Sequence, residues 1–155
     1  MKALIVYSSR TGTTKIVAQK LAALLNCDID EIKDSKNRQG VMGYLLCGKE
    51  AMQKTLPEIQ FEKDPFQYDL VIIGTPIWGW NMSSLTRSYL TKNKGKFKKV
   101  AYFCTMGGSG DEKTFLAMSE ITGLKPAATL SFKTIEVVKN NINEKVKKFI
   151  GELTS

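Results

Sequence analysis

Three stretches of the chain carry residue types that could hold or transfer something, and all must do so without imidazole, because the sequence contains no histidine. The first is Ser9-Arg10-Thr11-Gly12-Thr13-Thr14, dense in hydroxyls, directly after the apolar run Ala3–Tyr7. After it the period changes, and Val17, Leu21, Leu24 and Leu25 fall on one helical face. A strand that feeds a hydroxyl-rich loop into a helix N-terminus makes an anion site, since unpaired N–H groups and the positive end of the helix dipole face the loop. The loop has no P-loop lysine and no G-x-G-x-x-G, so its donors are neutral and suit a phosphate monoester that needs no metal. A plain capped strand–helix turn has the same composition.

The second stretch, Gly74 to Trp80, holds both tryptophans of the chain, Trp78 and Trp80, among Gly, Thr and Pro. One such indole could cap a core edge; two in one loop favour stacking on a flat ligand. The third, Thr105-Met106-Gly107-Gly108-Ser109-Gly110, offers successive backbone amides, though alone it reads equally as a flexible turn. Cys27, Cys47 and Cys104 are widely spaced, odd in number and form no C-x-x-C, which fits reduced thiols. Cys104 ends a strand and reads as a buried small hydrophobe. Without His a Ser–His or Cys–His nucleophile is excluded, and with no C-x-x-C either, no zinc, haem or other metal site is expected.

The elements that position these stretches follow from periodicity. Fully apolar runs at Ala3–Tyr7, Leu70–Gly74 and Val100–Cys104 read as strands buried on both faces. Ala127–Phe132 is a further strand. Cys27–Ile32 alternates apolar and acidic residues, as an edge strand whose acids blunt the edge would. Between them lie helices: Val41–Thr55 (with Val41, Tyr44, Leu45 and Met52, interrupted by Gly43 and Gly48), one with Met82, Leu85, Tyr89 and Leu90, one N-capped by Asp111, and a closing helix. That last one carries Ile142, Val146, Phe149, Ile150 and Leu153. Strands alternating with helices give a doubly wound α/β sheet, and all three candidate loops follow strand ends on one side of it.

The string Ser9 to Thr14 matches the phosphate-loop pattern [ST]-x-T-G-x-T, and with Gly74-Thr75-Pro76-Ile77-Trp78-Gly79 and Thr105 to Gly110 it resembles the flavodoxin-like family over nearly the whole chain. The resemblance implies a flavodoxin-like doubly wound sandwich with a five-stranded parallel sheet of order 2-1-3-4-5, as a single domain over residues 1–155, of the short-chain type. It implies FMN as cofactor. Ser9, Arg10, Thr11, Gly12, Thr13 and Thr14 would hold its phosphate; Thr75, Pro76, Ile77, Trp78 and Gly79, with Thr105, Met106, Gly107, Gly108 and Ser109, would frame its ring. No catalytic side chain is implied, since the flavin carries the chemistry. The expected role is a low-potential electron-transfer carrier; the alternative is an NAD(P)H-dependent quinone or flavin reductase, so enzyme status stays open. The chain departs from many flavodoxins in having no aromatic in the Thr105 loop and Trp80 where an acid often stands.

At 155 residues, with 43% hydrophobic and 25% charged residues, the composition is that of a globular domain. The N-terminal apolar run is too short for a secretory signal and no run approaches a membrane span, so a cytoplasmic protein is expected. The net charge of +8 attracts anions in general. Lys92–Lys99 and the C-terminal lysines lack interleaved aromatics and any nucleic-acid-binding motif, so no nucleic-acid partner is expected. Partners would be redox proteins, acidic ones among them, or NAD(P)H and quinone, with the chain a monomer or homodimer.

Overall fold

A computed structural model describes residues 1–155. The strands are β1 (Ala3–Tyr7), β2 (Asp28–Glu31), β3 (Leu70–Trp78), β4 (Asn81–Met82), β5 (Val100–Met106) and β6 (Thr129–Lys133). The helices are α1 (Thr13–Leu25), α2 (Gly40–Gln53), α3 (Ser84–Lys92), α4 (Asp111–Thr122), α5 (Thr134–Val138) and α6 (Asn143–Thr154). Five strands pair in parallel in the order β2-β1-β3-β5-β6, and β4 turns back antiparallel onto the end of β3. The parallel order is the expected one; the hairpin and the short α5 are additions.

The strands are apolar on both faces because both are covered. Ile5, Tyr7, Ile72 and Phe103 face a core layer with Val17 and Leu21 of α1 and Val146, Phe149 and Leu153 of α6. Leu4, Val6, Ile73 and Tyr102 face the other, with Leu85 and Tyr89 of α3 and Met118 of α4. A Cβ at Gly74 would run into the Phe103 ring, so the close packing of β3 on β5 requires glycine there.

Several local expectations shift. β3 runs on through Thr75–Trp78, which were expected in a loop, and β5 through Met106. Leu24 faces solvent, and Ala18 takes its place in the α1 core stripe. Gly110, at φ 109°, caps α4, and Asp111 is the first helical residue. β2 is the expected sheet edge, but its acids are not spent on repelling strands. Asp30 is buried and accepts the N–H groups of Glu62 and Lys63; Asp28 accepts from the Tyr68 hydroxyl at 2.6 Å, and Glu31 from Tyr7 at 2.8 Å. With the Lys33–Gln60 bridge, the 60–63 segment covers the edge. Burial and the Asp28 hydrogen bond push the Tyr68 phenol up to about 12.

The largest departure is α2. It runs unbroken through Gly43 and Gly48, and its expected apolar stripe points outward: Val41, Tyr44, Leu45 and Met52 are all exposed. Its buried side is Gly43, Cys47, Glu50 and Ala51. A Cβ at Gly43 would strike the Arg38 backbone, so that glycine lets the 34–39 segment lie against the helix. Glu50 Oε1 accepts from Arg38 at 3.0 Å and from Ser84 at 2.9 Å, and Oε2 from Lys36 at 3.2 Å; Arg38 also pairs with Asp34 at 2.6 Å. Burial alone would raise the Glu50 carboxyl, but these donors outweigh it and hold it below its ordinary value.

Candidate functional site

The carboxyl ends of β1, β3 and β5 open onto one cleft of about 300 Å³. Ser9, Arg10, Thr11, Thr13 and Thr14 line it from the first loop, Pro76, Ile77 and Trp78 from β3, and Thr105, Met106 and Gly107 from β5 and its loop. Gly12, Thr75, Gly79, Gly108 and Ser109 do not line it. Thr75 is buried, its hydroxyl accepting from Ser83 N–H and donating to the Pro76 carbonyl. The lysines at 92–99 precede β5 and sit at the opposite end of the sheet.

The first loop is built to leave donors free. Gly12 caps α1 at φ 99°, a left-handed conformation that favours glycine, and offers no side-chain cap. Ser9 Oγ turns back to accept from Gly12 N–H at 3.1 Å and Lys15 N–H at 3.4 Å, which closes the loop on itself. The N–H groups of Thr11, Thr13 and Thr14 make no hydrogen bond within the protein. Such orphan donors at a helix N-terminus, with the dipole behind them, suit an anion. Thr14 Oγ1 bonds Thr105 Oγ1 at 2.8 Å, so these two buried hydroxyls tie the first loop to the third.

Trp78 and Asn81 pair across a two-residue turn, Gly79-Trp80, with φ of 56° and 60°. Positive φ at both central positions is the type I′ hairpin turn, and Trp80 holds it without being glycine. Its Nε1 donates to Ser109 Oγ at 3.1 Å, and a Cβ at Gly110 would come within 3.1 Å of the Trp80 Cα. The second and third loops therefore touch. Asn81 Nδ2 donates to the Gly79 carbonyl at 2.8 Å. Of the two tryptophans, Trp78 lines the cleft; Trp80 is 61% exposed and serves the loop–loop contact.

Sequence reasoning missed two lining residues. Thr134, in the short α5, donates to the Met106 carbonyl at 3.2 Å. Tyr44, from α2, is the second aromatic of the cleft, and the Arg10 guanidinium lies 5.4 Å from its ring centre, within cation–π range. Gln39 Nε2 also donates to the Arg10 carbonyl at 2.9 Å, so the start of α2 is tied to the first loop. The outward turn of Tyr44 on its helix was the one feature that could have shown it, and period alone does not report direction. Cys104 lies fully buried behind the cleft, where burial pushes its thiol well above the ordinary range and keeps it inert.

No family model matches the chain, and no curated protein does. Solved structures match well. A flavoprotein from Lactobacillus acidophilus, solved in complex with FMN, is 26% identical with a TM-score of 0.72, over 89% of this chain and 97% of that one. A candidate flavoprotein from Bacteroides eggerthii is 23% identical with a TM-score of 0.70, over 93% and 97%. A flavodoxin from the domain Archaea is 19% identical with a TM-score of 0.50, over 95% and 99%. The fold is flavodoxin-like.

Proposed function

We propose that this chain, flavodoxin-like in fold and similar in structure to flavoproteins, is a single-domain FMN-binding protein that carries electrons between cytoplasmic redox partners. The observation that carries the reading is the set of three unpaired N–H groups on Thr11, Thr13 and Thr14 at the α1 N-terminus, opening into a cleft that contains Trp78. Ser9 bonds the Gly12 and Lys15 N–H groups inside the loop and leaves these three without a partner. The residues fit FMN: the donors of the first loop would take its phosphate, and Trp78 and Tyr44 would border its ring. When bound, the flavin supplies the electron chemistry. The chain's own residues bind and orient it. The loop's neutral donors hold charge without a metal, the Thr14–Thr105 and Trp80–Ser109 bonds fix the loops relative to one another, and buried Ile77 and Met106 exclude water from below.

Titration of the chain with FMN, followed by flavin fluorescence, tests this reading. Stoichiometric quenching is expected, with FMN held at least about tenfold more tightly than riboflavin, since the phosphate would meet several N–H donors in a charge-assisted site. No quenching, or equal affinity for riboflavin, refutes it.

One observation favours the reductase alternative. Gly107, which lines the cleft, would meet nothing within 4 Å through an added Cβ, so the cleft is open on that side to a second planar molecule. Anaerobic mixing of the FMN-loaded protein with NADPH separates the two: rapid bleaching of the flavin supports the reductase, and its absence the carrier.

A further inference from the structure

Helix α2 is inverted relative to ordinary amphipathic helices. Val41, Tyr44, Leu45, Gly48 and Met52 follow i, i+3, i+4, i+7, i+11, one helical face, and its four side chains are 56–76% exposed where a core stripe would be buried. The inward face instead buries a carboxylate, Glu50, and needs Arg38, Lys36 and Ser84 to satisfy it. A contiguous exposed apolar face of this kind marks an interaction site.

Two further observations say what covers it. The stripe is continuous with the cleft: Tyr44 lines it, and the Met52 side chain lies against Gly79 of the ring loop. The exposed charges along residues 36–56 are also of one sign. Lys49 and Lys54 are exposed, while Glu50 is buried and neutralised by Arg38 and Lys36. A second copy of this chain would bring like charge, +8 against +8, to such a rim.

We propose that the outward face of α2 docks an acidic electron-transfer protein, whose apolar centre covers Leu45 and Met52 and whose carboxylates meet Lys49 and Lys54. This rests on the electron-carrier reading for its purpose, but the docking surface is testable without flavin.

The test uses an acidic plant-type [2Fe–2S] ferredoxin as probe, with binding to the full chain measured by calorimetry, with and without FMN. Gly48→Glu is the main variant, because an added Cβ there meets nothing within 4 Å. Leu45→Glu is the second, and Gly48→Ala the control. Binding that weakens about tenfold or more in both Glu variants, persists in Gly48→Ala and falls with added salt is the expected result, since a charge placed in an apolar centre and facing an acidic partner is doubly unfavourable. Ferredoxin binding that is absent, or equal in wild type and both Glu variants, overturns the proposal. So does dimerisation in sedimentation that Leu45→Glu abolishes, which assigns the face to a second copy, or binding to phosphatidylserine vesicles that the same variant abolishes. If FMN fails to bind while ferredoxin binding still depends on Leu45, the electron-carrier reading falls and the docking face stands.

Discussion

Helices α2 and α6 carry nearly the same apolar spacing and bury opposite faces. In α6 and its N-cap, Ile142, Val146, Phe149 and Leu153 are 2% exposed or less and close the core layer over β1 and β3. In α2, residues at equivalent helical spacing face water, and the helix is held to the protein by an ionic cluster and two small residues, Cys47 and Ala51. Periodicity identifies a face; what lies beneath it decides whether that face turns in. α6 lands on an apolar sheet, whereas α2 lies against α3 and the β3–β4 hairpin, beside the buried polar groups Ser83, Ser84 and Thr86. The same stripe therefore acts as stability in one place and as surface in the other.

That contrast can be broken by substitution. Phe149→Ala in α6 should lose about 3–5 kcal/mol of unfolding free energy in chemical denaturation, the cost of a large core cavity. Glu50→Gln in α2 should lose about 1.5–3 kcal/mol, because a neutral amide weakens the charge-assisted bonds from Arg38 and Lys36 while Arg38 keeps Asp34. The Glu50 carboxyl is held below its ordinary value of 4.5, so its contribution is complete above that pH and is lost as pH falls through the folded-state value. Stability measured from pH 6 to 3 should therefore drop less steeply in Glu50→Gln than in wild type. Gly48→Ala should raise stability by about 0.5–1 kcal/mol through helix propensity, since its Cβ meets nothing. Leu45→Ser should stay within about 0.5 kcal/mol of wild type, as an exposed position does. A loss above 2 kcal/mol at Leu45, comparable to a core site, would erase the distinction between the two helices.

Much of the architecture was legible because its signals are local. The strand runs at Ala3, Leu70 and Val100, the change of period after Gly12 and the clean α6 stripe each rest on neighbouring residues. The order of the parallel strands follows from handed crossovers and a resemblance over the whole chain. The site was legible as three loops, and the cleft is lined from all three. What escaped reading depends on pairs distant in sequence. Tyr44 reaches the cleft only because Gln39 and Arg10 draw α2 to the first loop. Asp30 is an interior acceptor only because Glu62 and Lys63 return to it. Trp80 faces Ser109 because a type I′ turn, unreadable in a Trp-Gly-Trp string without Asn-Gly, reverses the chain there.

The hairpin that carries Trp78 also limits how this protein can vary. It closes in two residues, and the residue after the Trp78–Asn81 pair, Met82, is fully buried in the main core. Strand side chains alternate faces, so a one-residue slip of this pairing would turn Met82 out of the core. The ring loop is therefore constrained in length and, at Gly79, where φ is 56° and a Cβ would come within 2.8 Å of Met52, in residue as well. New specificities at this cleft would have to arise by substitution at the lining residues Trp78 and Ile77, or by lengthening the Gly107-Gly108 side, where no core residue is tied to the count.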